Sequence, residues 1–157
     1  MSQTNELEIM ERIALDLEGV EESLASSFNT GAEDFNALIR PLSAAGGKRL
    51  RAQLCLLIAN AGTSVERQRI RIAEAVEMLH LATLIHDDVL DQAEIRRGEE
   101  TIHMHKGNKV AILSGDYLFA KAFQIVSEMP NMKYLQIFSH IITCLVEGEF
   151  MQMEDVY

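Results

Sequence analysis

The sequence predicts an all-α fold, an antiparallel helical bundle of about six helices in which residues 1–157 form a single all-helical domain. Three observations carry that prediction. Apolar residues recur at steps of three and four through long stretches, the spacing of one helix face. Only nine glycines and two prolines interrupt the 157 residues. No stretch alternates apolar and polar residues with the period of two that marks a half-buried strand.

Over residues 6–28, Ile9, Ile13, Leu17, Val20, Leu24 and Phe28 build one apolar stripe. Gly31 and Pro41 bracket a shorter helix around residues 35–42, and Gly46-Gly47 breaks the chain before the next stripe, Leu50, Leu54, Leu57, Ile58 and Ala61. Ala61-Gly62-Thr63-Ser64 reads as a turn with Ser64 as N-cap. Residues 65–90 follow without glycine or proline, roughly 40 Å of continuous helix. Residues 92–107 are polar and charged, and so long a connection inside a domain is functional or disordered. A fifth helix spans 108–129, Pro130-Asn131 is a turn, and a sixth runs from Met132 onward. That last helix stays amphipathic through Glu147-Gly148-Glu149-Phe150-Met151-Gln152-Met153, so its apolar face docks on its own bundle or needs a partner.

The chain holds 24 acidic and 14 basic residues, a formal net charge of −10, which argues against a nucleic-acid groove. The charge is uneven. Residues 1–34 carry nine acids and one base, Arg12, whereas residues 40–51 carry Arg40, Lys48, Arg49 and Arg51 without an acid. A basic patch in an acidic chain suits a small anionic ligand, a solvated patch being the alternative. Cys55 and Cys144 lie in apolar helical surroundings without CxxC spacing and read as buried thiols of a reducing compartment. The polar N-terminus resembles no signal peptide, and no apolar run approaches the ~20 residues of a membrane span. A cytoplasmic location is expected.

The chemistry concentrates in His86-Asp87-Asp88-Val89-Leu90-Asp91 and, shortly after, Arg96-Arg97-Gly98. On a helix Asp87 and Asp91 stand one turn apart on one face, with Asp88 about 100° round from Asp87. Carboxylates this close repel one another, and a divalent cation relieves the repulsion. Mg²⁺ fits, since it takes one or two carboxylates and completes its octahedron with water and phosphate oxygens. A solvated helix end is the alternative, opposed by the apolar run at 79–85 and by the paired arginines. His80, Thr83 and Asp87 step by three and four, so His80 sits two turns before Asp87 on the same face. Alone it reads as a core histidine; beside Lys48, Arg51, Arg96 and Arg97 it becomes a candidate donor to a second anionic group.

Several motifs in order carry a family resemblance. Gly46-Gly47-Lys48-Arg49-Leu50-Arg51, His80, the Asp87 cluster, Arg96-Arg97-Gly98, Thr101, His103, Gly107-Asn108 and Gly115-Asp116-Tyr117-Leu118 resemble the trans-polyprenyl diphosphate synthases over about residues 30–153. The resemblance implies a helical bundle of the isoprenoid synthase type. It also implies Mg²⁺-dependent head-to-tail condensation of an allylic diphosphate with isopentenyl diphosphate. By it, Asp87, Asp88 and Asp91 match the first aspartate-rich motif and hold Mg²⁺ against the allylic diphosphate, with Arg96 contacting that group. Lys48, Arg51, His80 and Arg97 match the positions that bind isopentenyl diphosphate. Ala82 and Thr83 match the positions where bulky aromatics end chain growth. Both are small here, so the tail is expected to pass towards Leu79, Met78 and Ala75 and the product to exceed fifteen carbons.

The pattern is incomplete. The family's proline after the basic motif is Ala52 here, and residues 92–157 lack a second aspartate-rich motif, Asp116 and Glu154-Asp155 standing without DDxxD spacing. The chain thus reads as roughly the first half of the bundle, inactive alone and completed by a separate second-half subunit, or else associated as a homo-oligomer. A silent regulatory subunit of a full-length synthase is the alternative. A carboxylate-bridged di-iron bundle is a third, on the Glu-x-x-His spacing of Glu77…His80 and Glu100…His103.

Overall fold

The computed structural model describes residues 3–28, 33–44, 47–62 and 65–155. The order is α1 (Gln3–Ser27), α2 (Glu33–Ala44), α3 (Leu50–Asn60), α4 (Glu66–Leu90), β1 (Ile95–Arg96), β2 (Glu99–Glu100), α5 (Ile102–Lys106), α6 (Asn108–Ser127) and α7 (Met132–Asp155). The all-α prediction holds, with seven helices among the described residues where about six were expected.

α4 is the central element, packed against α1, α3 and α6. Val20, Leu24 and Phe28 of α1, Ile39 of α2, Leu56 of α3, Met78 of α4 and Leu118 of α6 are sealed from solvent. The α1 stripe read from the sequence is therefore the face that enters the core. Buried polar groups fix how α1 lies on α4. Glu74 has no exposed surface and accepts from Ser23 Oγ, Ser27 Oγ and Arg71 Nη1 at 2.6–2.7 Å. Asp16 receives Arg69 Nε at 3.0 Å. An unpaired buried carboxylate is costly, so these contacts hold the two helices in one register.

α3 inverts its expected face. Ala52 and Leu56 are buried, whereas Leu50, Leu54, Leu57 and Ile58 face outward. The spacing located the helix, and the wider apolar stripe is the one left uncovered. α7 shows the same condition. Phe138 packs edge-on against Phe123 of α6, centroids 5.5 Å apart, but farther along Ile141, Leu145, Val146, Phe150 and Met153 are exposed, Phe150 at 63%.

Other details depart from the sequence reading. Pro41 lies inside α2; it sits in the last turn, where the N–H it lacks removes only a terminal bond. Gly31, Gly46 and Ser64 lie outside the described residues, and the N-cap of α4 is the extended Val65 where Ser64 was expected. Cys55 is half-buried, but Cys144 is exposed on the outer face of α7, its Sγ 3.7 Å from His140 Nε2. α6 is long and apolar enough by composition to cross a membrane, contrary to the expectation of no such run. Ala111, Leu118, Ala122, Ile125 and Val126 are buried, and α6 packs on α4, which is the setting of a bundle-core helix.

The polar connection is ordered rather than irregular. Ile95 pairs with Glu100 and Arg96 with Glu99. Arg97 and Gly98 between them both have positive φ, 54° and 87°, as type I′ hairpin turns require. Thr101 is buried and donates through Oγ1 to the Ala93 carbonyl at 2.8 Å, anchoring α5 behind the hairpin. Strands of two residues have no room to show an alternating pattern, so its absence from the sequence did not exclude this hairpin.

Candidate functional site

Two of the concavities along α4 hold Asp87 and His80, and a third, lined by Asp88, Arg96 and Arg97, borders the basic one. The first is a groove of about 320 Å³, lined by Thr83, Asp87 and Leu90 of α4, Phe119 of α6, and Ile142, Leu145, Val146, Glu149, Phe150 and Met153 of α7. The second, of about 200 Å³, is bounded by Gly47, Lys48 and Arg51 at the start of α3, by His80 and Leu84 of α4, and by Arg97 of the hairpin. One helix thus presents both, with His80 and Asp87 about 10 Å apart along its axis.

The basic pocket owes its shape to two breaks in regular structure. Arg49 takes a left-handed conformation, φ 46°, which turns the chain so that Lys48 and Arg51 flank the start of α3. The hairpin returns Arg97 until its Nη2 would lie 3.3 Å from a Cβ at Gly47, so Gly47 gives it close approach. Arg51 Nη1 donates to His80 Nε2 at 3.1 Å. Burial first, then Arg51, Arg97 and Arg96, push His80 below its ordinary pKa, with Glu77 opposing them. His80 is therefore neutral at pH 7, its Nε2 accepting from Arg51 and its Nδ1–H available to donate.

The three aspartates of the cluster separate by role. Asp88 is 6% exposed and accepts from Arg96 Nε at 2.6 Å, so its carboxylate fixes Arg96 instead of facing the groove. Asp87 lines the groove, and Asp91 is exposed at the end of α4, its N–H donating to the Asp87 carbonyl at 2.8 Å. Burial, then the carboxylates of Glu149 and Asp91, push Asp87 above its ordinary pKa, while Arg96 pulls it down. Among the described residues no three His, Cys, Asp or Glu side chains converge on a point, and Glu77 is occupied elsewhere, so the di-iron spacing has no assembled site behind it. Mg²⁺ needs no such cage: one or two hard carboxylates suffice, water and phosphate completing the shell. Asp87 and Asp91, one turn apart at the end of α4, fit that demand.

The two chain-length positions also part. Thr83 lines the groove, its hydroxyl donating to the His80 carbonyl at 2.8 Å. Ala82 is fully buried, as are Ala75 and Met78, and Leu79 is nearly so. The tail path expected towards Leu79, Met78 and Ala75 is closed by core packing, and the open apolar space runs along α6 and α7 instead.

Sequence reasoning passed over Glu149 and the structural part of His86. Glu149 falls on the apolar stripe Ile142, Leu145, Val146, Glu149, Phe150, Met153, and a carboxylate in such a stripe is a signal that could have been read. His86 Nε2 donates to the Ile112 carbonyl at 3.1 Å, tying α4 to α6. Only a glycine at position 115 leaves room, since any Cβ there would collide with the imidazole.

The polyprenyl synthetase family profile matches residues 32–157. The chain is 33% identical over 148 residues to octaprenyl diphosphate synthase of Escherichia coli (strain K12), covering 94% of this chain and 46% of that protein. It is 37% identical over 143 residues to heptaprenyl diphosphate synthase component 2 of Geobacillus stearothermophilus, covering 90% of this chain and 44% of that one. Its fold superposes on the crystal structure of a polyprenyl synthase from Caulobacter crescentus CB15, complexed with calcium and isoprenyl diphosphate, with a TM-score of 0.85 and 36% identity over 91% of this chain and 45% of that one. The chain spans less than half the length of these relatives. A bundle of isoprenoid synthase type, matched by the family profile over four-fifths of its residues, makes this chain a member of the polyprenyl synthetase family.

Proposed function

We propose that this chain supplies the diphosphate-binding half of a Mg²⁺-dependent prenyltransferase that condenses an allylic diphosphate with isopentenyl diphosphate. The observation that carries the reading is the placement, on one helix, of a basic pocket, a carboxylate pair and an apolar groove. Lys48, Arg51, His80 and Arg97 bind the diphosphate of isopentenyl diphosphate and hold its double bond in position. Asp87 and Asp91 hold Mg²⁺, and Arg96, oriented by Asp88, contacts the allylic diphosphate. Bound there, Mg²⁺ supplies charge neutralisation for the departing diphosphate. Thr83, Phe119 and the α7 stripe enclose the hydrocarbon and keep water from the allylic cation.

The wall opposite α4 is supplied by a complementary helical half that covers the exposed faces of α7 and α3, carried on a second polypeptide. Those uncovered faces support this, and a relative named as component 2 of its enzyme supports association with a further subunit. The product exceeds fifteen carbons, a reading supported by the small Thr83 in the groove and by relatives named for octaprenyl and heptaprenyl products. The site of action is the cytoplasm, in keeping with free Cys55 and Cys144.

The test is prenyl transfer from labelled isopentenyl diphosphate. The chain with its complementary half is expected to be active, to lose activity in EDTA, regain it with Mg²⁺ and release products beyond fifteen carbons, while the chain alone stays silent. Activity of the chain alone at enzyme-like rates contradicts the two-part reading. An assembly fully active with Asp87→Ala shows instead a regulatory subunit.

A further inference from the structure

We propose that Glu77, which lines the basic pocket but is not one of the residues assigned to the diphosphate, is its positioning residue: it caps the start of α3 from across the bundle and so presents Lys48 and Arg51 to the diphosphate. The inference rests on the proposed reading of that pocket. α3 has no acidic residue in its first turn, and its N-cap, Arg49, makes no side-chain cap. A helix start leaves N–H donors without intrahelical partners, and a buried one is costly to leave unmade. The Ala52 N–H is buried, and the acceptor it finds is Glu77 Oε1 of α4 at 2.9 Å.

The other oxygen of the same carboxylate works on the strained residue. Glu77 Oε2 stands 3.5 Å from Arg49 Nη1, and Glu21 of α1 takes Arg49 Nε at 2.6 Å and Nη2 at 3.1 Å. A non-glycine residue at φ 46° persists only where its surroundings over-determine it. Here two carboxylates from two helices do so. Gln53 Nε2 adds a bond to the Lys48 carbonyl. Lys48 precedes the strained residue, Arg51 follows it by two, and His80 lies one turn beyond Glu77 on α4. The carboxylate therefore sets the distance between the loop's cations and the imidazole that Arg51 contacts. Glu77 is 5% exposed and itself negative, so a simple charge effect opposes anion binding. Positioning and charge thus predict opposite signs for its removal.

The experiment is steady-state kinetics of the active assembly, with Glu77→Ala, Glu77→Gln and Glu77→Ala combined with Ala52→Pro, alongside inorganic pyrophosphate binding. Glu77→Ala is expected to raise the KM for isopentenyl diphosphate about tenfold, with the KM for the allylic substrate within about twofold. Ala52→Pro removes the orphaned N–H at a position in the first turn that tolerates proline, and is expected to recover most of that loss. Glu77→Gln keeps an acceptor but loses Arg49, and weakens isopentenyl diphosphate binding about threefold. It decides the matter should Glu77→Ala fail to fold. Unchanged or tighter binding in Glu77→Gln, or an isopentenyl diphosphate KM within twofold of wild type in Glu77→Ala, overturns the inference alone. A wild-type assembly that neither transfers a prenyl group nor binds pyrophosphate overturns the reading of the pocket, and this inference with it.

Discussion

Asp87 follows His80 by seven positions on α4, and the two sit in opposite conditions. Around His80 the cations already have partners: Arg51 meets the imidazole and Arg49 meets two carboxylates. Around Asp87, burial and then the carboxylates of Glu149 and Asp91 raise its pKa against the pull of Arg96, and the wall facing it is the exposed apolar side of α7. The difference teaches that the cations of the basic pocket find partners within this chain, whereas the carboxylate side is left open, as the proposed cation and second half require. The same contrast divides the aspartate cluster, where Asp88 is buried and paired with Arg96 while Asp87 is half-buried and lines the groove.

That contrast can be broken by exchanging the two neighbours. Asp87→Asn is expected to lower kcat of the active assembly by about 100-fold or more, because it removes a ligand from the charge-stabilising site. Asp88→Asn leaves the groove intact but releases Arg96 from a charge-assisted bond, and a loss nearer tenfold is expected. Equal losses would erase the division of roles.

A smaller effect sharpens the other side of the comparison. The folded-state pKa of His80 lies below its ordinary value, chiefly through burial and Arg51. The unfolded chain therefore takes up the proton first as pH falls. The stability His80 contributes is present above its unfolded pKa of about 6.5 and is lost as pH falls through the folded value. Melting from about pH 7.5 to about pH 5 should show a fall in Tm steeper in wild type than in His80→Gln by ~2–4 °C. Parallel curves would mean that His80 is not held neutral.

α1 was legible because a 3.6-residue apolar period survives in it, and α4 because no glycine or proline interrupts it. The face of α3 was not, since a stripe of four large apolar residues looks like a core face whether or not anything covers it. The hairpin at 95–100 escaped because its strands are too short to alternate, although Arg97-Gly98 is a turn signal. In the site, the residue types and their spacing pointed to diphosphate and cation chemistry, but the partner of each side chain was hidden. Asp88 and Asp87 are equivalent letters until the hairpin returns Arg96. Ala82 and Thr83 are adjacent until packing buries one. Glu77 caps a helix that begins 27 residues before it in the sequence, and no local pattern announces such a contact.

The central claim is that one helix serves two diphosphates by different means, one through cations built into the chain and one through Mg²⁺. Titration of the active assembly with inorganic pyrophosphate, with and without Mg²⁺, tests it most directly. Without Mg²⁺ one site is expected, lost in Arg51→Met; with Mg²⁺ a second appears, and Asp87→Asn abolishes only that one. A single class of site indifferent to Mg²⁺ and to Asp87→Asn would contradict it.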